Sequence, residues 1–170
     1  MNAVFANVII VLVWNLIVLF TCKSHKEKFF NENKKLHSIL VFENNSFYSK
    51  IKIKKWKDKL PQYTSKHGFS KKQFTLSDKK DSKYINKFIL ETCRAEWNHA
   101  VSLIIILPII LFNKPFIALT FTFLVLLTNV PFILIQRYNR IRLLALRDRI
   151  KAKSPKYDIH TCHQTNQVFL

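Results

Sequence analysis

The sequence predicts an all-α membrane protein: an N-terminal signal-anchor helix, a basic amphipathic interfacial region, and a C-terminal transmembrane helical hairpin followed by a basic surface helix. Three observations carry this. Residues 3–21 and 116–136 contain no charge, and at 1.5 Å per residue each reaches about 30 Å, the hydrocarbon thickness of a bilayer. A shorter apolar run, 100–112, would reach about 20 Å and is joined to the last run by Asn113-Lys114-Pro115, a tight polar turn. Finally, lysine-dense blocks separate the runs, so that 28 Lys+Arg against 10 Asp+Glu leave a net charge of +18. The lone glycine, Gly68, excludes the G-x-G-x-x-G turn, the Walker A loop and the G-x-S-x-G elbow, and with them dinucleotide folds, P-loop enzymes and α/β-hydrolases.

Residues 1–22 form the first element, an apolar anchor or signal. A secretory signal needs a basic start and a small-residue cleavage site, and neither is present. Leu19-Phe20-Thr21-Cys22 fits a lipobox poorly. An uncleaved anchor is the favoured reading, with cleavage or lipidation as the alternatives. Residues 23–83 follow as a basic cytoplasmic or interfacial region. Ile53, Trp56 and Leu60 keep helical spacing up to Pro61, and the lysines around Trp56 suit a segment at headgroup level rather than a packed core. Residues 64–82, where Gly68 and several serines break any period, read nearly as well as a solvated loop.

The third element, 84–136, is an amphipathic helix plus hairpin, with spans at about 99–112 and 116–136. Asp81 or Ser82 can cap its start, and Ile85, Phe88, Ile89 and Thr92 follow the i, i+3, i+4, i+7 pattern. Pro108 is expected to kink the first arm. Residues 137–152 make a basic amphipathic helix through Ile141, Leu144, Leu146 and Ile150, expected along the membrane surface, and 153–170 a flexible tail.

Topology follows from charge. Residues 23–96 carry net +11 and 137–170 net +6, and the positive-inside rule puts both on the cytoplasmic side of a cell membrane, beside anionic lipids. Three spans with the N-terminus outside satisfy this. Lipid phosphates then account for the lysines, and no nucleic-acid partner is expected. Cys22, Cys93 and Cys162 are scattered and suggest no disulfide framework. His160-Thr161-Cys162-His163 is a weak metal signal in a tail, so no metal is expected.

Antiparallel arms joined at Lys114 set residues at equal depth when their numbers sum to about 228. His99 then lies level with Asn129 and Pro131, Arg94 with Leu134, and Glu91 with Arg137. Ionisable groups at membrane depth cost on the order of 2–3 kcal/mol, which makes this layer a functional candidate. Glu96 and His99, at i and i+3, can hydrogen-bond, orienting the imidazole as a base for a hydroxyl nucleophile. Each residue also has a plainer role. Glu91 and Arg94 can simply pair, His99 and Trp97 can anchor the wet end of a span, and Arg137, Arg140 and Arg142 can hold headgroup phosphates. No histidine is followed by an aspartate four or five residues later, so soluble-type acyltransferase boxes are missing.

Glu91-Thr92-Cys93-Arg94-Ala95-Glu96-Trp97-Asn98-His99, Phe112-Asn113-Lys114, Asn129-Val130-Pro131 and Gln136-Arg137-Tyr138-Asn139-Arg140-Ile141-Arg142-Leu143 together resemble the small membrane-bound glycosyl-4,4'-diaponeurosporenoate acyltransferase family. The block from Ile53 to Pro61 resembles that family's central W-K stretch, and the likeness covers roughly residues 47 to 150. The resemblance implies an acyltransferase that esterifies a fatty acyl group onto the primary hydroxyl of glucose on a C30 carotenoid acid, the last step of staphyloxanthin-type synthesis. It implies a glycosylated carotenoid or other glycolipid as acceptor, an acyl-CoA or acyl-carrier protein as co-substrate, and no cofactor. On that reading His99 is the general base and Glu96 orients it. Glu91, Arg94, Arg137, Asn139 and Arg140 would bind substrate oxygens, and Asn129 would donate to the oxyanion. The competing readings are a non-catalytic lipid-interacting scaffold and a transferase for another glycolipid.

Overall fold

The computed structural model describes residues 3–40, 42–60 and 82–153. The segment 64–82, read either as an interfacial stretch or as a solvated loop, thus lies outside the described residues except for Ser82, as do Asp81, the His160–His163 cluster and all of the expected tail but Lys153. Among the described residues every regular element is helical. Helix α1 is Ala3–Ser24, α2 Asn45–Lys50, α3 Ile53–Trp56, α4 Ser82–Ser102, α5 Ile106–Phe112 and α6 Pro115–Lys153. Three helical stretches, Ala3–Ser24, Ser82–Phe112 and Pro115–Ala152, are long and apolar enough to cross a membrane. Large apolar side chains stand exposed along them, with Leu111, Phe112, Phe116 and Leu119 each above 70%. Patches of that size are costly in water and are suited to a lipid solvent.

Helices α4 and α5 form one arm of the hairpin. A 3-10 turn at Leu103–Ile105 separates them. Pro108 explains it: the proline supplies no N–H to the carbonyl of Ile104 and its ring crowds that turn, so the helix tightens there. Pro131 lies inside α6, which continues through it. The last span and the basic segment after it are therefore one 39-residue helix. Its expected surface stripe is largely spent on α4: Leu143, with Leu144, Leu146 and Ile150, packs on Ile85 and Ile89, which are fully buried. The period read from Ile85, Ile89 and Thr92 is the buried face of α4.

Helix α1 packs into the half of the hairpin nearer its turn through polar groups. Asn7 and Asn113 exchange amide hydrogen bonds of 2.6 and 3.1 Å. Ser102 Oγ donates to Asn15 Oδ1 at 3.0 Å, and Trp14 Nε1 donates to the Val101 carbonyl at 3.3 Å. Between apolar helices in lipid such bonds supply contact specificity, each contributing about 0.6 kcal/mol and at most about 1.7. Asn7→Leu combined with Asn15→Leu is therefore expected to cost about 1–2 kcal/mol. Thermal unfolding in detergent reads this out, and an unchanged midpoint would mean that apolar packing alone holds α1.

At its other end α1 is held by rings. His25, Phe29 and Phe30 surround Trp97 of α4 at centroid distances of 5.3, 5.8 and 6.0 Å. Trp97, expected as an interfacial anchor, instead packs beside the core formed by Cys22, Phe30 and Cys93. Both cysteines are free and buried.

Candidate active site

The chain after α1 does not spread over a surface; it folds back onto the hairpin and places polar groups inside it. Asn44 caps α2 by accepting from Phe47 N at 2.9 Å, which sets Glu43 just before the helix and Tyr48 one turn into it. Lys52 takes a left-handed conformation (φ 51°), turning the chain between α2 and α3. Ile53 and Trp56 thereby join Tyr48 on Tyr138 of α6, with the Tyr48 and Tyr138 rings 5.2 Å apart. Trp56, expected at headgroup level, donates to the Ile51 carbonyl at 3.0 Å and packs against this cluster, because α6 offers its rings a dry face.

Under that cover lies a buried charge cluster. Arg137 Nε and Nη2 reach Glu43 Oε1 and Oε2 at 2.6 and 2.5 Å, a two-point fork. Arg137 Nη1 donates to Glu96 Oε1, and Nη2 also donates to the Ser38 carbonyl at 2.8 Å. Arg140 Nη1 meets Glu96 Oε2 at 2.6 Å, and His37 Nδ1 lies 3.3 Å from the same oxygen. Glu43 further accepts from the Tyr48 hydroxyl at 3.0 Å and from Leu40 N at 2.8 Å. Burial pushes the Glu43 carboxyl up, but Arg137, the Leu40 N–H and Tyr48 together hold it below its ordinary value. Burial, then the neighbouring carboxylate, push the Tyr48 phenol well above its own. Two guanidiniums thus face two carboxylates, and each carboxylate has a guanidinium partner.

A second polar unit sits deeper in the hairpin. His99 Nδ1 and Asn129 Oδ1 are 3.0 Å apart, and the imidazole lies parallel to the Phe132 ring at 4.9 Å. Asn129 Nδ2 is committed to the Val125 carbonyl at 2.9 Å, so its oxygen faces the histidine as acceptor. Nδ1 must then carry the proton, which leaves Nε2 with its lone pair. His99 is half-buried, whereas Arg140 is completely enclosed. A half-buried imidazole with one nitrogen fixed and the other basic can accept a proton from a hydroxyl.

The sequence-predicted residues divide accordingly. His99 and Asn129 meet at the depth the hairpin count assigned. Glu96 does not orient His99: its oxygens bind Arg137, Arg140 and His37, because two guanidiniums outcompete a neutral imidazole for a buried carboxylate. Asn129 has both amide ends engaged and is no free oxyanion donor. Glu91 faces its own neighbour Arg94 at 2.6 Å rather than Arg137. Arg94 also lies over the Phe30 ring at 5.2 Å. Arg137 spends Nε and both Nη atoms on protein acceptors, so it has no fork left for substrate. Asn139 is half-buried and makes no side-chain hydrogen bond among the described residues. His37, Glu43 and Tyr48 went unrecognised in the sequence. One signal was there: Glu43 is the single acid between Glu32 and Asp58 in a basic block.

Comparison with known proteins bears on this arrangement. The family model described as glycosyl-4,4'-diaponeurosporenoate acyltransferase matches residues 26–149, a stretch holding both polar units. A protein of that name from Staphylococcus aureus strain Newman is 33% identical over 137 residues, 78% of this chain and 80% of the relative. Its counterparts from strains bovine RF122 / ET3-1 and USA300 are each 32% identical with the same coverage. No solved structure matches.

Proposed function

Since the chain belongs to the glycosyl-4,4'-diaponeurosporenoate acyltransferase family and is an acyltransferase, we propose that it esterifies a fatty acyl group onto the primary hydroxyl of a glucosylated C30 carotenoid acid, closing a staphyloxanthin-type pathway. The observation that supports this reading most is the His99–Asn129 pair, which leaves one basic nitrogen within the hairpin. The carotenoid lies among the exposed apolar side chains of the helices, and its sugar reaches the layer of His99. The basic segments face the cytoplasm, where acyl-CoA or acyl-carrier protein is met and anionic lipids hold the lysines.

The step balances without a cofactor. His99 Nε2 takes the proton of the primary hydroxyl as that oxygen attacks the thioester carbonyl, and a C–O bond forms. The C–S bond then breaks, and the thiolate recovers the proton from His99. Asn129 holds the imidazole in the required tautomer throughout. Asn139 is the remaining candidate for a sugar contact. Expression in cells that make the glucosylated carotenoid acid tests the substrate. Mass spectrometry is expected to find the acceptor heavier by one fatty acyl ester, and a pool that stays unacylated beside abundant protein would sink the assignment.

A further inference from the structure

Away from His99, a cavity of about 440 Å³ opens between the Glu27–Phe30 turn, the first half of α4 and the final turns of α6. Such a volume is in the range of small-ligand sites, about 300–1,000 Å³. Lys28, Arg147 and Lys151 line it, against Glu27 and Glu32. Arg147 is already braced: its Nη1 meets Glu32 Oε1 at 2.7 Å and Asn86 Oδ1 at 3.2 Å. Its Nε is buried and has no hydrogen-bond partner among the described residues. A buried donor without an acceptor is costly, and a guanidinium fork prefers a planar or tetrahedral oxyanion. Phe30 and Leu90 give the same cavity apolar walls.

We propose that this cavity binds a phosphate ester carried on an aliphatic arm, with Arg147 taking the phosphate and Lys28 and Lys151 flanking it. The proposal rests on the acyltransferase reading, in which a phosphate-bearing carrier delivers the acyl group. Arg147 lies about five helical turns, roughly 27 Å, nearer the basic end of α6 than Asn129, the distance an extended arm anchored there has to cover to bring its acyl group to His99. Glu32 is then a competitor that holds the guanidinium while the cavity is empty of phosphate. A lipid headgroup offers the same chemistry, and the test separates the two sources.

Direct binding needs no turnover and is independent of which acceptor is acylated. The full chain in phosphatidylcholine nanodiscs, titrated calorimetrically with coenzyme A, is expected to bind it. Arg147→Gln is expected to weaken that binding about tenfold or more. Glu32→Gln, by releasing the fork, is expected to strengthen it, whereas a merely structural ion pair predicts no gain. The double variant Lys28→Gln/Lys151→Gln alters only exposed side chains and keeps the test independent of folding; weakened binding is expected there too. Weaker coenzyme A binding in phosphatidylglycerol than in phosphatidylcholine nanodiscs, with that difference abolished by Arg147→Gln, would assign the site to lipid phosphate. Absence of binding to either, or equal affinity in the wild type and every variant, overturns the proposal.

Discussion

Arg137→Met is expected to cost about 3–5 kcal/mol and to leave little folded protein in the membrane fraction. The substitution removes one cation and strands two buried carboxylates. Glu43 loses its two-point partner, and Glu96 keeps only Arg140 and His37. Tyr48 and the turn at Leu40 are tied to the same Glu43, so the 38–60 segment detaches with it. Removing both charges tests the origin of the effect. Arg137→Leu with Glu43→Leu leaves the Glu96–Arg140 pair intact and is expected to recover part of the loss, since an apolar pair replaces a buried ion pair at little cost while Tyr48 and Leu40 N still lose their acceptor. Protein abundance and the unfolding midpoint read both variants. A wild-type midpoint for Arg137→Met would mean that the ion cluster does not hold the fold together.

The same clasp sets a pH response. The Glu43 carboxyl lies below its ordinary 4.5 in the folded chain. Its contribution is thus complete above about pH 4.5, where the unfolded chain is also ionised, and is lost as pH falls through the lower folded value. Between pH 5 and pH 8 this group leaves stability unchanged.

What was legible in the sequence had a period or a length. The span lengths, the turn at Asn113-Lys114-Pro115 and the stripe Ile85, Ile89, Thr92 are local patterns, each shaped by a helix meeting lipid or another helix. The pairing of His99 with Asn129 follows from counting back along two rods from one turn. The clasp has no such pattern. Glu43 and Arg137 are 94 residues apart, and neither spacing nor hydropathy links them. Lysines around Trp56 pointed away from a packed core, yet the fold seats Trp56 against the cluster around Tyr138. Glu96 shows the limit from the other side. Its spacing from His99 permitted a bond, but strong partners brought by tertiary folding took the carboxylate first.

That division of labour makes His99 the residue whose loss should stop chemistry without stopping folding. His99→Ala and His99→Gln are each expected to lower kcat about 10²- to 10⁴-fold, the usual contribution of a positioned base, with acceptor KM changed little. Stability should fall only by the lost stacking on Phe132 and one hydrogen bond, about 1–2 kcal/mol together. Asn129→Ala is expected to do less, because the imidazole keeps its basicity and loses only its fixed tautomer. Asn129→Asp supplies the acceptor again, and recovery of turnover there would show that orientation is what Asn129 provides. A purely structural histidine predicts the opposite ordering, with abundance and midpoint falling alongside activity as expected for Arg137→Met. Wild-type turnover in both His99 variants, with the protein present at normal levels, would place the base elsewhere. His37 would then be the group to replace next, since its Nε2 is buried without a partner among the described residues and its Nδ1 faces Glu96.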